Sequence, residues 1–376
     1  MKKVLIVATV QSHIAQFHKP LINMLKEKGV HVTACAKNNL AIKKNLTLTE
    51  PDEIIEVPFS RSPFSPKNLK AYKKLKAVIE KGEYDVVHCN TPVGGILTRL
   101  ACRKLRKKGK IKVLYHAHGF HFFKGGSKKN FMLWYPIEKA FSKLTDTMVV
   151  INKMDYELAK SKFNAKNVVR VPGVGVNLNQ FRNENIDVDL KKEFNLDADT
   201  KMVLSVGELN ENKNQKVIIN AIAHLKDEKI HYFLAGNGPL RDKLEQQAKK
   251  LGVENQVHFL GYRRDLPAIY KQVDVFMLPS YREGLGLASI EAMSFGLPII
   301  TSNKHGINDY SEDGVSGYKY EPNDYKGFAD GIRKIVYDEE LKKQMGERNK
   351  ETAQSFSLET YLKIMNEVYD SLLGEN

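Results

Sequence analysis

The feature that most constrains the fold of this 376-residue chain is a regular alternation of strand-like and helix-like segments. Strand-like segments such as VLIVATV, VHVTACA and YDVVHCN are apolar along most of their length, which is typical of strands buried on both faces. Helix-like segments separate them, and crossovers of this kind join neighbouring parallel strands. The sequence therefore predicts an α/β fold of doubly wound parallel sheets.

The alternation occurs twice and is interrupted near VPGVGVNLNQF, where proline and glycine cluster and a polar segment follows. A chain of this length accommodates two hydrophobic cores more readily than one. We therefore predict an N-terminal domain over residues 1–170 and a C-terminal domain over residues 171–356. No strand follows the helix expected over residues 357–376, and we expect that helix to pack back on the N-terminal domain.

Charge differs sharply between the two halves. Residues 1–170 contain 33 lysines and arginines and 12 aspartates and glutamates, a net charge of +21. Residues 171–376 contain 26 and 32, a net charge of −6. A strongly basic domain attracts an anionic partner, which leaves nucleic acid, a phosphorylated ligand and lipid headgroups as candidates. Alternatively, the lysines only keep the surface soluble.

Three observations indicate the compartment. Cys35, Cys89 and Cys102 are scattered and form no C-x-x-C pair, which argues against a disulfide framework and a cysteine zinc site. The apolar run Val4–Val10 is short and is followed by polar residues, so it predicts a first strand rather than a signal peptide. No run approaches the ~20 apolar residues of a spanning helix. We expect a cytoplasmic protein, either soluble or peripheral at a membrane.

In doubly wound sheets, ligands bind at the carboxyl ends of the strands, which directs attention to the turn in YREGLGLASIEAM. Its glycines allow close backbone approach, and free N–H groups at the start of the next helix favour an anion. Glu291 lies about one turn inside that helix among apolar neighbours, where a carboxylate requires a partner. Either hydroxyls of a sugar nucleotide or a lysine in a buried ion pair would serve, and the spacing favours neither.

Other loops carry weaker indications. In VGELNENKN, Gly207 ends a strand and Lys213 could neutralise a diphosphate. In YHAHGFHFF, His116 and His118 alternate onto one side of a strand, and a ligand contact is favoured over zinc because no carboxylate or H-E-x-x-H spacing accompanies them. The D-x-D of Asp187 and Asp189 lies in the linker, and the chain has no P-loop and no G-x-G-x-x-G before a helix.

The segment from Glu283 to Glu291 resembles the E-x7-E signature of family-4 retaining glycosyltransferases. These enzymes have the GT-B architecture, two facing Rossmann-like domains with a cleft between them. The resemblance covers nearly the whole chain, because VLIVATV, HAHG, VPGVGVNLNQF, VGELNENKN, AGNGPL, VHFLGY and VDVFMLPS occur in the family's order. The segment HGFHFFKGGSKKNFMLWYPIEK is similar to bacterial capsule, exopolysaccharide and lipid-linked-glycan enzymes.

The resemblance implies retaining transfer of a hexosyl or N-acetylhexosaminyl group from a UDP-sugar, with neither metal nor other cofactor. It implies that Glu291 binds the ribose hydroxyls, that Lys213 neutralises the diphosphate and that Glu283 orders its loop and contacts donor hydroxyls. His118 is expected to line the cleft near the sugar, which makes His118, Lys213 and Glu283 the catalytic candidates. The donor site would further include Gly207, Gly284, Leu285, Gly286 and Leu287. The acceptor-side candidates are Ser12, His13, His116 and His121.

The chain departs from the family in two places. Many members have arginine where this chain has Glu208, which leaves the diphosphate clamp incomplete. Gln11, Ser12 and His13 replace a Gly-Gly often found after the first strand. A sugar-nucleotide epimerase of the same architecture and a non-catalytic partner of another transferase therefore remain alternatives.

Lysine-rich runs in the first half, KNLKAYKKLK, RKLRKKGK and KGGSKK, lie among apolar residues. Aromatic residues surround the third run, namely Phe120, Phe122, Phe123, Phe131 and Trp134. A cationic and aromatic surface suits an anionic membrane, whereas no nucleic-acid-binding motif is present. The resemblance supplies a polyprenyl-diphosphate-linked acceptor in the inner leaflet. We therefore expect a peripheral protein on the inner face of the cell membrane.

Overall fold

The computed structural model describes residues 1–42, 46–123, 126–178 and 188–374. It divides the chain into two compact units. Unit 1 comprises Met1–Val174 together with Glu359–Asn376, and unit 2 comprises Gly175–Leu358. Among the helices of the described residues, none is both long and apolar enough to be a membrane span.

Unit 1 is built on a seven-stranded sheet in which every pairing is parallel. Its strands are β1 Lys3–Val10, β2 His31–Lys37, β3 Glu53–Glu56, β4 Val86–Asn90, β5 Lys112–Ala117, β6 Thr147–Val150 and β7 Asn167–Arg170. The spatial order is β3-β2-β1-β4-β5-β6-β7. The helices are Gln11–Phe17, Lys19–Glu27, Lys67–Gly82, Pro92–Lys107, Lys128–Ser142, Lys153–Lys162 and, after unit 2, Leu358–Leu373, with a 3₁₀ turn at Leu40–Ile42.

Unit 2 is built on a six-stranded sheet, again with parallel pairings throughout. Its strands are β8 Lys201–Val206, β9 Ile230–Ala235, β10 Val257–Gly261, β11 Val275–Leu278, β12 Ile299–Ser302 and β13 Gly317–Tyr320. The spatial order is β10-β9-β8-β11-β12-β13. The helices are Leu190–Glu193, Lys216–Leu225, Arg241–Lys250, Leu266–Tyr270, Leu287–Ser294, Tyr325–Val336 and Glu339–Gln354, with a 3₁₀ helix at His305–Asp309.

Each sheet reverses its winding direction once, and this fixes where a ligand can bind. The reversal lies between β1 and β4 in unit 1 and between β8 and β11 in unit 2. Loops that leave such a switch point diverge to opposite faces of the sheet and open a crevice at the strand ends. Residues that follow β1, β4, β8 and β11 are therefore the ones that the fold places at candidate sites.

The final helix, Leu358–Leu373, completes the core of unit 1. Tyr361 and Tyr369 on this helix are fully buried, and the Tyr369 hydroxyl lies 2.8 Å from Nδ1 of His88 on β4. Lys28 pairs with Asp370 at the edge of the same contact. The linker residues 179–187, including Asp187 of the D-x-D pair, lie outside the described residues. Asp189 caps the helix Leu190–Glu193 by accepting a hydrogen bond from the Lys192 backbone N–H at 3.0 Å.

The two predicted parallel sheets are confirmed, but some local predictions are wrong. The segment TVQSHIAQF leaves β1 and enters the helix Gln11–Phe17 directly. The next helix is Lys19–Glu27, and His18 separates it from the helix before it. The prediction that the aromatic residues around KGGSKK form a surface is wrong for Phe120 and Phe122, which are buried in the core of unit 1.

Candidate active site

Lys213 and Glu283 lie in the loops after β8 and β11, and the switch point of unit 2 brings them together. Nζ of Lys213 lies 2.8 Å from Oε1 of Glu283, and the side chains are 22% and 13% exposed. Both loops are fixed locally: the Lys213 backbone N–H donates to Oδ1 of Asn210 (2.9 Å), and Nδ2 of Asn212 donates to the carbonyl of Arg282 (2.9 Å). The structure thus holds a cation at the point where the sequence places a diphosphate.

Gly207 at the end of β8 allows the lysine to lie over the strand. Its φ of +149° is in a region that side chains rarely adopt. A Cβ at this position would lie 3.1 Å from Cε of Lys213 and 3.5 Å from its Cδ. A larger residue would therefore displace the Lys213 side chain from the ion pair with Glu283.

The turn before the helix Leu287–Ser294 is shaped by Gly286, which caps the helix with φ +85°. A Cβ on Gly286 would lie 2.9 Å from both Leu278 and the Tyr310 hydroxyl, so only glycine fits. Leu285 is buried beneath the turn, and Leu287 begins the helix. The first turn of a helix leaves backbone N–H groups without partners inside the helix, so this end favours an anion beside Lys213.

The 3₁₀ helix His305–Asp309 supports the same turn from behind. Nδ1–H of His305 donates to the carbonyl of Glu283 (2.6 Å), and the Gly306 N–H donates to that carbonyl as well (3.2 Å). A Cβ on Gly306 would lie 1.9 Å from the carbonyl oxygen of Gly284. Backbone contacts this close fix the turn before any ligand binds, so the turn is preorganised.

Glu291 is half-buried on the helix that follows, and its partner is a hydroxyl. The Tyr270 hydroxyl donates to Oε2 of Glu291 over 3.3 Å. Burial raises the pKa of Glu291, and the hydrogen bond from Tyr270 acts against this shift. Across residues 1–42, 46–123, 126–178 and 188–374, no lysine, arginine or histidine forms an ion pair with Glu291. The ion-pair alternative is therefore absent, and the carboxylate keeps capacity for a ligand.

Glu208, which stands where many family members have arginine, is exposed and bound by neutral amides. Nδ2 of Asn210 donates to Oε2 of Glu208 (2.9 Å), and Nε2 of Gln215 donates to its backbone carbonyl (3.1 Å). Lys213 therefore has no second cation at this position. Glu208 shapes the loop through its backbone rather than by contributing charge.

A cavity of approximately 430 Å³ opens at the switch point of unit 1, beside the ends of β1 and β4. Three acceptor-side candidates line it, namely Ser12, His13 and His121. Asn39 fixes Ser12, because Nδ2 of Asn39 donates to Oγ of Ser12 (2.8 Å) and its Oδ1 accepts from the Ser12 backbone N–H (3.0 Å). The volume falls within the roughly 300–1,000 Å³ of small-molecule pockets.

Backbone strain marks the rim of this cavity at Thr91. The residue has φ +63°, which is unfavourable for a β-branched side chain. Oγ1 of Thr91 lies 2.7 Å from Oγ1 of Thr9 and accepts from the Thr9 backbone N–H (3.2 Å), so the end of β1 holds it in place. Strain of this kind persists where the surrounding structure enforces it, often at a binding site.

His116 and His118 lie behind the cavity rather than on its surface. His116 is fully buried in β5 and stacks on His118 with ring centroids 4.3 Å apart, so it packs in the core instead of contacting a ligand. Nε2–H of His118 donates to Oδ1 of Asn90 (3.2 Å), and the His118 ring lies 4.6 Å from that of His13. His118 thus supports His13, the residue that lines the cavity.

Comparisons with known proteins assign the chain to a family. Residues 3–152 match the family described as "Glycosyl transferase 4-like", and residues 188–352 match "Glycosyl transferases group 1". The chain is 37% identical over 379 residues to EpsD of Bacillus subtilis (strain 168), a protein named as a glycosyltransferase, and the match spans 99% of this chain and 97% of EpsD. The chain is a family-4 glycosyltransferase.

Further similarities concern a second relative and two solved structures. The glycosyltransferase is 29% identical, over 73% of its length and 72% of the relative, to the UDP-Gal:alpha-D-GlcNAc-diphosphoundecaprenol alpha-1,3-galactosyltransferase of Escherichia coli. Its fold matches Anabaena Alr3699/HepE in complex with UDP and glucose, with a TM-score of 0.79 over 99% of this chain and 100% of that one, at 19% identity. It also matches WaaG, a glycosyltransferase involved in lipopolysaccharide biosynthesis, with a TM-score of 0.71 over 99% and 100%, at 17% identity. These structures support the GT-B fold.

The structure adds residues that the sequence patterns did not single out. The cavity of the glycosyltransferase's first unit is also lined by Phe17 and Arg61, and by Trp134, which the sequence pattern had placed on a membrane-facing surface instead. Arg61 follows β3, a strand too polar to be recognised, so its position at a strand end was hidden. Tyr270, the partner of Glu291, comes from a five-residue helix with no distinguishing motif.

Five histidines pack together beneath the cavity. His13, His18 and His118, and likewise His18, His88 and His116, each offer one ring nitrogen within 4.8 Å of the others, so either triad could hold a metal ion. Burial lowers the pKa of His13 to about 4 and that of His88 to about 3, and it holds the pKa values of His18, His116 and His118 well below 6.5. At neutral pH the cluster is therefore uncharged.

Proposed function

We propose that this glycosyltransferase moves a sugar from a UDP-sugar to a lipid-linked or glycan acceptor in bacterial surface-polysaccharide synthesis, with retention at the anomeric carbon. The observation that carries the proposal is the set of side chains and backbone N–H groups that meet at the switch point of unit 2. Lys213 and the backbone N–H groups of the preorganised turn are suited to a sugar diphosphate, and the Glu291 carboxylate on the helix that follows is suited to the ribose hydroxyls. The Escherichia coli relative is named for UDP-Gal and a diphosphoundecaprenol acceptor, and the Anabaena structure holds UDP, which supports the donor class.

In the proposed reaction, the bond between the anomeric carbon and the UDP oxygen breaks, and the acceptor's hydroxyl oxygen bonds to that carbon on the same face. The hydroxyl proton passes to the departing phosphate oxygen, and UDP leaves. Lys213 exchanges its contact with Glu283 for the diphosphate, and the helix N–H groups stabilise the developing negative charge. The released Glu283 carboxylate then accepts hydrogen bonds from donor hydroxyls. Because these groups supply the stabilisation, the proposed chemistry uses neither a metal ion nor a dedicated base, and positioning of the acceptor hydroxyl does the rest.

The cavity of unit 1 is proposed to hold the acceptor. Trp134 and Phe17 offer apolar faces for a sugar ring, while Ser12, His13 and His121 offer hydrogen bonds. His118, placed against His13, is proposed to orient it towards the reacting sugar. The donor would thus be held by unit 2 and the acceptor by unit 1.

UDP is expected to raise the melting temperature of the wild-type enzyme more than GDP, ADP or TDP does, because binding to the folded state stabilises it. Glu291→Gln is expected to weaken UDP binding by roughly 10- to 100-fold, the effect of losing hydrogen bonds to a charged group. The glutamine can still accept from Tyr270, so the melting temperature without ligand should stay close to wild type. Thermal-shift and calorimetric titrations with UDP measure both effects.

Glu340→Gln is the matched control, because Glu340 is exposed and bonds only to Gln344 on the same helix among the described residues. This variant should bind UDP as the wild type does. If Glu291→Gln melts much lower yet binds UDP normally, Glu291 is structural and the donor assignment fails. UDP release from UDP-sugars without an acceptor then separates transfer, which leaks UDP, from epimerisation, which does not.

We further propose that unit 1 attaches peripherally to the inner face of the cell membrane. Phe131, Met132 and Leu133 are exposed on the helix Lys128–Ser142, with Met132 77% exposed, beside exposed Lys128 and Lys129. Lys124 and Gly125 of the KGGSKK run lie outside the described residues. Apolar side chains flanked by cations suit an anionic bilayer, where each lysine contributes roughly 1 kcal/mol.

In flotation with liposomes, binding is expected to rise with the anionic lipid fraction and to fall with salt. It should weaken when the Arg103–Lys110 cluster is neutralised and when Met132 is replaced by serine. Lys326→Gln with Lys343→Gln, which removes two exposed lysines from unit 2, should leave flotation unchanged. Equal indifference of the wild type to neutral and anionic vesicles would show that the acceptor is reached from solution.

A further inference from the structure

A second cavity in unit 1, of approximately 700 Å³, carries a concentration of positive charge. It lies at the carboxyl ends of β1 and β2 and beside the segment after β3. Its lining includes Lys37, Arg61, Lys67 and Lys70, and no aspartate or glutamate. Concave basic surfaces at strand ends are where α/β sheets bind anions.

Within the described part of the chain, none of these four cations forms an ion pair with an aspartate or glutamate. Elsewhere in unit 1 lysines do find one: Lys19 pairs with Glu50 (2.9 Å) and Lys26 with Asp52 (2.9 Å). Four unpaired cations around one cavity repel one another, and the folded protein bears that cost without any compensating ion pair. A bound anion would remove it.

The N-terminus of the helix Lys67–Gly82 also favours an anion. Lys67 and Lys70 occupy its first turn, where no acidic residue is present and where the helix dipole disfavours cations. This arrangement works against the stability of the helix. It becomes favourable when an anion lies at the helix N-terminus, since the lysines and the backbone N–H groups then act on it together.

The cationic cavity adjoins the acceptor cavity. Arg61 and Val10 line both of them, so ligand groups in the two cavities would be direct neighbours. Asn39 lines the cationic cavity and also fixes Ser12 in the acceptor cavity. A single ligand with a sugar joined to an anionic group could therefore fill both.

We propose that the cationic cavity binds the diphosphate of the acceptor, with the acceptor's sugar in the adjoining cavity. The inference rests on the proposed function and narrows it, because it selects a diphosphate-linked sugar over an uncharged glycan. Arg61 lies between the two positions and can donate to both the sugar and the phosphate through its several N–H groups. The lysines supply point charges to the diphosphate oxygens.

The test is a calorimetric titration with inorganic pyrophosphate in the presence of saturating UDP, which occupies the donor site. One pyrophosphate per chain is expected to bind, and affinity should fall by about tenfold or more in Arg61→Gln and in Lys67→Gln with Lys70→Gln. Lys160→Gln with Lys162→Gln, two exposed lysines in the last turn of the helix Lys153–Lys162, should bind as the wild type does. The melting temperature of Lys67→Gln with Lys70→Gln should be unchanged or higher, since the helix dipole is relieved.

Pyrophosphate binding that is absent, or that the cavity variants leave unchanged, overturns the inference. UDP affinity is measured in parallel. Failure of UDP to bind counts against the proposed donor site, and this result is distinct from failure of pyrophosphate to bind the cationic cavity. Farnesyl diphosphate in place of pyrophosphate distinguishes the source: tighter binding indicates a lipid-linked diphosphate, and equal binding a soluble one. If the cavity variants no longer bind phosphatidylglycerol vesicles but still bind pyrophosphate as the wild type does, the cations form a membrane surface and the inference is wrong.

Discussion

Replacing Lys213 by alanine is expected to lower kcat/KM for sugar transfer by about 100-fold, the usual cost of losing one preorganised charge at a leaving group. UDP affinity should fall together with turnover, because in the proposed donor site the same cation contacts the diphosphate before and after the bond breaks. The loss also leaves Glu283 without the cation that lies 2.8 Å away in the unliganded enzyme. Steady-state kinetics and UDP titration measure the two effects.

Lys216→Ala is the control for this experiment. Lys216 begins the next helix and pairs with Glu211 at 3.2 Å, with its side chain 44% exposed. Its loss should change neither kinetics nor UDP affinity appreciably, since exposed ion pairs contribute little. Wild-type kinetics for Lys213→Ala would remove this lysine from the donor site and leave the leaving group to be stabilised by the turn alone.

Lowering the pH from 7.5 to 5.5 is expected to destabilise unit 1 markedly. His18, His88 and His116 are fully buried, and both ring nitrogens of His18 and of His116 are buried without a hydrogen-bond partner. Burial holds the pKa of each below the ordinary 6.5, to about 3 for His88. The groups that face them are His13, His118, Asn90, Tyr361 and Tyr369, none of which carries a compensating negative charge at these pH values.

The sign follows from proton uptake. The folded form stays neutral while the unfolded chain takes up protons below pH 6.5, so stability is complete above 6.5 and is lost as the pH falls towards the folded pKa. Each such histidine lowers the free energy of unfolding by roughly 1.4 kcal/mol for every pH unit below 6.5. Between pH 6.5 and 5.5, three such histidines together remove about 4 kcal/mol, which approaches the lower end of the total stability of a typical domain, about 5–15 kcal/mol.

Trp134 is the only tryptophan of the chain and lies in unit 1, so its fluorescence reports the melting of that unit. The melting temperature should fall steeply below pH 6.5, and His18→Asn should make the pH profile shallower. His224→Gln, at an exposed position in unit 2, should leave the profile unchanged. A flat profile between pH 7.5 and 5.5 would mean that the cluster accepts protons in the folded state.

The strands that sequence patterns identified differ physically from those they missed. β1, β4 and β8 lie inside their sheets and are buried on both faces, so their mostly hydrophobic residues form runs that identify them. β3, β7 and β13 are all edge strands, and their partly exposed residues leave no such run. Missing β3 also hid Arg61, which the end of that strand positions.

The residues of the candidate site also divide into those that sequence patterns identified and those that they missed. Lys213, Glu283 and Glu291 could be grouped in advance, because the strand-end rule brings the loops after β8 and β11 together. Contacts that depend on how deeply a side chain is buried could not be predicted. Alternation places His116 and His118 on one side of β5, yet it does not show that His116 is fully buried. Tyr270 reaches Glu291 from a helix 21 residues earlier, and no local pattern records that contact.

The return of the helix Leu358–Leu373 to unit 1 has a consequence for how the protein is made. A ribosome releases most of unit 1 first, then all of unit 2, and only afterwards the helix that carries Tyr361 and Tyr369. Until then the positions of these two buried tyrosines in unit 1 are unfilled, and His88 lacks its tyrosine partner. Unit 2, whose residues are contiguous, can fold while the nascent chain still grows, although domains made first usually fold first. The earlier-synthesised unit is thus the one that is completed last.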